Sequence, residues 1–282
     1  MTVRLAFSTN AFTRFTLGQA CTRIAKAGYR GVEILADEPH AYPSKVYREL
    51  AIGLRKTLDD LRLEVSNVNA NTMFGFWNDP PPEPFFEPSL VSTNEQFRQA
   101  RLHGIRVVLD FAARIAARNI SITTGKPLGA MSPEACEPLL EDMLGRVLDR
   151  AEKLGIDVGI ECEPGLFIET TEELVRWIDR MRSPRLGANL DLGHVVVAGE
   201  DPLAAIEKLR GRIWNIHLED IRGRKHYHRI PGEGDIDFPA IADALRGIGY
   251  DRWVTVELYT QSADPDRAAR RSLKVLGTLF PK

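Results

Sequence analysis

Residues 156–165 read IDVGIECEPG and residues 185–194 read RLGANLDLGH. Each opens as a short β-rich run and closes it on an acidic residue, Glu161 in the first and Asp191 in the second. Working outward, similar runs stand at 3–8 (VRLAFS), 31–35 (GVEIL), 62–68 (RLEVSNV), 119–124 (NISITT), 212–218 (RIWNIHL) and 252–258 (RWVTVEL), which makes eight with 156–161 and 185–191. Each gives way to an amphipathic helical pattern or to a loop leading into one. In 134–154, for example, Leu139, Leu140, Met143, Val147, Leu148 and Ala151 recur at helical spacing. Glycines at 28, 155 and 249 sit where a helix would end before the next strand. Short β-rich runs alternating with longer helices signal βα units on a parallel sheet. An open doubly wound sheet would need a GxGxxG-type turn after an early strand, and none is present. Barrels of this kind run to roughly 250 residues as one unit. The expected fold is therefore α/β, a single-domain (β/α)8 TIM barrel over residues 1–282.

The bulk numbers exclude several classes. Lys and Arg number 37 against 39 Asp and Glu, a net charge of -2. That balance carries no electrostatic footprint for nucleic acid or an anionic membrane. Cys21, Cys136 and Cys162 are widely spaced with no CxxC pair, so a reducing cytoplasm is the default compartment. No apolar run approaches the roughly 20 residues of a membrane span, and the opening MTVRLAF reads as a first strand, not a signal peptide. Oligomeric state is open, and a homo-oligomer is compatible with everything above.

Chemistry concentrates at the strand ends. The last four runs end in Ile160-Glu161, Leu190-Asp191, Ile216-His217 and Val256-Glu257. In a closed barrel these strands are neighbours and their C-terminal ends converge on one side of the mouth, where barrel active sites are built. Two glutamates, an aspartate and a histidine form a mixed oxygen and nitrogen set that suits one divalent ion, Mn, Mg, Co or Zn, more than a soft thiolate metal. Any one acidic residue at a strand end is better explained as the cap of the next helix; four in consecutive units favour a metal. Gly193 permits a tight turn that would bring His194 back over the site. Glu163 shares a face with Glu161 if the strand continues, while Cys162 points into the core.

Two long loops leave the same rim, 69–93 and 219–237. The first holds Asn71, the aromatics Phe74, Phe76, Trp77, Phe85 and Phe86, and Pro80 to Pro82; aromatics beside a catalytic rim read as a lid or substrate wall. The second carries Arg222, Arg224, Lys225 and Arg229, either a phosphate anchor or a solvated loop. Glu33, at the end of the second run, either reaches the mouth or satisfies a buried network.

In family order, GYRGVEI (28–34), VGIECEPG (158–165), LDLGH (190–194), IHLED (216–220), IPGEGDIDF (230–238) and VTVEL (254–258) resemble the xylose isomerase-like barrels. That superfamily includes sugar isomerases and 3-epimerases, inosose-processing enzymes and endonuclease IV. The resemblance implies one divalent ion on Glu161, Asp191, His217 and Glu257, with Glu161 and Glu257 also the acid/base pair. It implies that His194 touches substrate. An epimerase-like arginine is implied three residues before the Pro-Gly of the strand-7 loop, and that position is His228 here. Asn71, Trp77, Glu163, His194 and His228 are thus the substrate-side candidates.

The expected reaction is isomerisation or epimerisation of a small sugar or cyclitol through an enediolate. The metal would polarise adjacent oxygens, and one glutamate would take the α-proton while the other returns one. Dehydration of an inosose is a variant of the same step. An endonuclease IV-like phosphodiesterase would need histidines after strands 3 and 4, where this chain has Asn69, Asn71, Thr123 and Thr124. A non-catalytic sugar-binding barrel would not need the intact ligand set.

Overall fold

In a computed structural model, which describes residues 3–45, 48–71, 74–77, 87–126 and 131–280, the eight runs become eight parallel strands. They are β1 Arg4–Ser8, β2 Gly31–Leu35, β3 Glu64–Asn69, β4 Asn119–Ile122, β5 Asp157–Ile160, β6 Leu186–Asp191, β7 Ile213–Leu218 and β8 Trp253–Val256. They pair in sequence order and close, β8 against β1. Among the described residues the surrounding helices are α1 Leu17–Ala27, α2 Arg48–Leu61, α3 Glu95–Arg114, α4 Pro133–Leu154, α5 Thr171–Met181, α6 Leu192–Ala198, α7 Pro202–Lys208, α8 Phe238–Gly247 and α9 Pro265–Leu276. No described helix is long and apolar enough to cross a membrane.

Local chemistry sets these boundaries. The α1 and α4 helices end on Gly28 (φ 106°) and Gly155 (φ 68°), as the glycine spacing predicts. The third joint is shifted by one: α8 closes on Ile248, and Gly249 takes the left-handed conformation after it. Strand β3 starts later than the expected 62, because Arg62 is itself left-handed (φ 55°) and closes α2 with its N–H on Asp59. In α4 the predicted stripe is buried except for Leu139, and Leu144 joins it.

The strands alternate in a way that decides the barrel's function. One set of side chains, including Ile34, Val68, Ile120, Val158, Leu190 and Val254, is buried and apolar. The intervening set is buried and polar: Glu33, Asn67, Ser121, Asn189, Asn215, Thr255. Thr255 on β8 donates to Ser66 on β3 (3.0 Å) and stands 2.9 Å from Asn215 Oδ1 on β7. Asn215 donates to Asn189 (2.8 Å), and Asn119 donates to Asn67 (2.8 Å), which donates to Glu33 (2.8 Å). The bond from β8 to β3 joins strands that are not neighbours, which requires its two groups to lie inside the barrel. Buried polar groups persist only when paired, so each link here is obligatory.

The long loop after β7 is organised by one side chain. Asp220, buried, accepts from the backbone N–H groups of Ile221, Gly232, Gly234 and Ile236 at 2.7–3.1 Å. A two-bond bridge between Asp220 and Arg229 closes the loop base. Asp220→Asn keeps the size but removes one acceptor oxygen. It is expected to cost about 2–3 kcal/mol, the worth of charge-assisted bonds to a buried carboxylate. Urea unfolding should report that loss, and amide exchange should show faster opening confined to 219–237.

Candidate metal centre

Glu161, Asp191, His217 and Glu257 meet at the C-terminal ends of β5 to β8. Each offers a ligand atom, all within 4.8 Å of one another, and all four side chains are buried. Register explains the convergence: Asp191 is the direct partner of His217 across β6 and β7, and Leu218 pairs with Val256, one residue before Glu257.

His217 is the centre of the set. Its Nε2 lies 2.5 Å from Glu33 Oε2, reached across the barrel from β2. A carboxylate can only accept, so Nε2 carries the hydrogen and Nδ1 faces the site. There it lies 3.0 Å from Glu161 Oε1, 3.6 Å from Glu257 Oε2 and 3.9 Å from Asp191 Oδ2. A carboxylate on the far nitrogen of a ligating histidine is the arrangement that orients the ring and raises its basicity. Glu33 is therefore both things the sequence left open: it reaches the mouth and it closes a buried network.

Asp191 does two jobs. Its Oδ1 accepts the backbone N–H of His194 at 2.7 Å, capping α6. Its Oδ2 is buried with no hydrogen-bond partner. The helix-cap explanation is thus correct for one oxygen and leaves the other for a cation. His194 arrives at the site on the first turn of α6. That corrects the expected tight turn at Gly193, which lies inside the helix. Gly193 serves as space instead: a Cβ there would meet Glu219 Oε1 at 1.6 Å.

The electrostatics fit a divalent ion. Burial alone would lower the His217 pKa, but Glu257, Glu33 and Glu161 outweigh it and hold the imidazole well above its ordinary value. Burial pushes Glu257 well above the carboxylate range. Among the described residues, the ion pairs of Glu161, Asp191 and Glu257 are all to histidines. Three buried carboxylates with only imidazoles for counter-charge form a site in which protons stand where a cation would bind.

Around this set the predicted substrate-side residues are placed unequally. Asn71 donates to Glu161 Oε2 (2.9 Å). Glu163 stands 3.7 Å from His194, and burial raises its carboxyl to about 7. His228 is fully buried, donates from Nδ1 to the Glu257 carbonyl (3.0 Å), and burial lowers its pKa to about 3. It is therefore a neutral group where the resemblance implied a cation. Trp77 is not joined to the cluster by its contacts: it packs edge-on against Phe76 and Phe97 (5.1 and 5.9 Å) and donates to the Glu87 carbonyl (3.1 Å). Phe74 is exposed, while Pro80 to Pro82, Phe85 and Phe86 lie outside the described residues. Cys162 is buried, as expected.

Sequence reasoning gave no role to Asn10, Asn69, Glu219 or His226. Asn10 and Asn69 both donate to Glu257 Oε1 (2.9 and 3.1 Å). Glu219 is buried against Asp191 and His228. The basic loop turns outward. Arg222, Arg224 and Lys225 are exposed, and Arg224 donates to the Val197 carbonyl over a groove of about 360 Å³ between α7 and α8.

Glu33→Gln replaces the obligate acceptor of His217 Nε2 with an amide that can present either end. Divalent-metal affinity is expected to fall about 10–100-fold, as for other partners of ligating histidines. Competition against a calibrated chelator measures it; unchanged affinity would remove Glu33 from the centre.

A profile of the xylose isomerase-like TIM barrel family matches residues 21–279. Inosose dehydratase of Lacticaseibacillus casei is 31% identical over 142 residues, 44% of this chain and 47% of that enzyme, so the match spans about half of the relative's length. Fructoselysine 3-epimerase of Escherichia coli O157:H7 is 23% identical over 273 residues, 95% of both chains. Among solved structures, IOLI protein with a binding zinc atom superposes with a TM-score of 0.79 at 18% identity, covering 99% of this chain and 100% of that one. The likeness to IOLI shows the shared fold, while the profile match over nearly the whole chain shows the family: this chain belongs to the xylose isomerase-like TIM barrels.

Proposed function

We propose that this protein is a divalent-metal-dependent isomerase or epimerase of a small sugar or cyclitol, with Glu161 and Glu257 as its proton-transfer pair. The observation that carries the reading is the convergence of Glu161, Asp191, His217 and Glu257 from four consecutive strand ends. The relatives support the substrate class, since an inosose dehydratase and a sugar-amine 3-epimerase both bear similar sequences.

Bound there, a divalent ion would supply Lewis-acid stabilisation of the charge that builds on adjacent substrate oxygens when the α-proton leaves. The chain's own residues do the rest. Each glutamate turns one oxygen toward His217 Nδ1, Oε1 of Glu161 and Oε2 of Glu257. The opposite oxygens are held by amides: Asn71 on Glu161, Asn10 and Asn69 on Glu257. Those bonds fix both carboxylates and leave Glu161 Oε2, with one donor, the readier proton acceptor. Return of the proton from the other side of the substrate plane gives epimerisation; return to the neighbouring carbon gives isomerisation; loss of a β-hydroxyl from the same enediolate gives dehydration.

Unpartnered buried acceptors support a polyol. Asn10 Oδ1 and Asn71 Oδ1 have no hydrogen-bond donor, and neither has His228 Nε2. Substrate hydroxyls are donors of the right kind to satisfy them. With His228 neutral and the loop arginines turned outward, the reading favours an unphosphorylated substrate.

The test is solvent exchange in D2O with Mn present, across ketoses, aldoses and inososes. The unmodified protein should wash deuterium into the α-position of its substrate. Glu161→Gln and Glu257→Gln should keep at least part of the metal and lose turnover by about two to four orders of magnitude. Near-normal rates in both variants on the true substrate would end the proton-pair assignment.

A further inference from the structure

The largest fully buried side chain among the described residues is one that the proposed mechanism does not use: Arg101, on α3, 1% exposed. Burial works against its charge, but Asp37 and Glu87 sustain it. The guanidinium is lowered only to about 10, so it stays charged at neutral pH. A buried ion pair is a poor source of stability, since well-packed apolar groups of similar volume do as well or better. What the guanidinium fork touches gives the reason for it.

The fork stands where a strand ladder runs out. After β3 the chain is still held by its neighbours: Ala36 N–H donates to the Asn69 carbonyl and Ala70 N–H to the Ser121 carbonyl, each at 2.8 Å. The Ala70 carbonyl comes next, and Arg101 takes it from Nη1 at 3.5 Å. Arg101 Nη2 lies 3.5 Å from Thr123 Oγ1, just past the end of β4. Both contacts are long, so the hold draws on the charge as much as on direction.

The residues on either side of Ala70 are Asn69 and Asn71. Their amides donate to Glu257 Oε1 (3.1 Å) and Glu161 Oε2 (2.9 Å), and the Asn71 N–H closes on Asn69 Oδ1 (3.1 Å). Further along, the buried Asp37 accepts the N–H groups of Phe74 (2.9 Å) and Gly75 (2.8 Å). A buried cation thus takes a carbonyl of this segment and a buried anion takes its N–H groups, and the two charges act on each other.

We propose that Arg101 is a positioning residue for the reaction: it sets the Ala70 peptide and so aims the Asn69 and Asn71 amides at the two glutamates. The assignment rests on the proton-pair reading of Glu161 and Glu257. Asn10 is the internal comparison. It donates to the same Glu257 oxygen (2.9 Å) but comes from the turn after β1. Arg101→Met removes charge and fork while keeping an unbranched stem. Arg101→Lys keeps the charge and replaces the fork with a point donor.

The experiment has two arms on the full-length protein. The first needs no substrate. With asparagine isotopically labelled for NMR, the side-chain amides of Asn10, Asn69 and Asn71 are assigned by substitution one at a time, and their hydrogen exchange is measured. In Arg101→Met, Asn69 and Asn71 should exchange about 10-fold faster, the worth of a lost buried hydrogen bond, with Asn10 unchanged. Arg101→Lys should fall between. Should Arg101→Met fail to fold, Arg101→Lys carries the same comparison, and Asp37→Asn weakens the other half of the clamp.

The second arm is kinetic, on the sugar or inosose that the deuterium screen identifies. In both Arg101 variants kcat should fall about 10–100-fold, the cost of misplacing groups around the reacting atoms. KM should rise too, because Asn71 Oδ1 is an unpartnered acceptor facing substrate hydroxyls on this reading. Partial unfolding would lower kcat and leave KM unmoved. Asn69 and Asn71 exchanging at the unmodified rate in a folded Arg101 variant would overturn the inference, and so would equal acceleration of all three amides. If the two amides loosen as expected but no substrate takes up deuterium, the positioning stands and the proton-pair reading is what fails.

Discussion

The bond from His217 Nε2 to Glu33 runs across the barrel from β7 to β2, and the site's geometry depends on it. It fixes which imidazole nitrogen faces the carboxylates. Without it, neither nitrogen of the ring would be committed to the far side of the barrel, and the direction of Nδ1 toward the ligand set would be lost. The bond exists because the interior is lined with polar groups that satisfy each other from strand to strand. Asn67 holds Glu33, and Asn189, which accepts from Asn215, places its amide nitrogen 3.1 Å from His217 Nδ1. A parallel barrel with an apolar interior would pack as well but could not orient an imidazole. The interior trades some hydrophobic stabilisation for direction.

The same economy appears in the loops that follow the strands. Asp191 caps a helix with one oxygen and leaves the other bare, so the turn that presents His194 also positions the ligand. Next to it, Asp220 gathers four backbone N–H groups and thereby seats His228 and its neighbours over the rim. Glu219, one residue earlier, points the other way into the space left by Gly193. Two adjacent acidic residues with opposite facing thus do different work: one folds the loop, while the other is buried beside Asp191, where burial raises its pKa well above the carboxylate range and favours its uncharged form.

What the sequence made legible follows from periodicity. Strands have period two and helices 3.6, so the eight units and their C-terminal ends could be read, and the four ligand candidates followed from position alone. What could not be read depends on contacts between distant segments. Asn10, Asn69 and Asn71 look like ordinary polar residues at strand ends, and only barrel closure brings them to Glu257 and Glu161. Gly193 was legible as a constrained position but not for its reason, since Glu219 meets it only in three dimensions. Trp77 is a like case: its edge-on packing with Phe97 of α3 joins segments that the sequence keeps apart.

The two halves of the barrel mouth divide the chemistry. Strands β5 to β8 supply the four candidate ligands, while the segments after β1 and β3 supply amides that bind the outer oxygens of two of them. An amide donor stabilises the charged carboxylate and lowers its appetite for a proton. Two of them act on Glu257 Oε1 and one on Glu161 Oε2, so the pair is not symmetric even though both residues hold one place in the ligand set. Burial works in the other direction and is strong at Glu257, where it outweighs those amides. A base needs an accessible lone pair as well as affinity, and Glu257 Oε1 has both of its usual acceptor directions filled. On the proposed proton-transfer reading, abstraction falls more naturally to Glu161, and Glu257, whose protonated form burial favours, is suited to return a proton. Under the proposed mechanism, the order of proton transfer is set by three asparagines from the half of the barrel that holds none of the four candidate ligands.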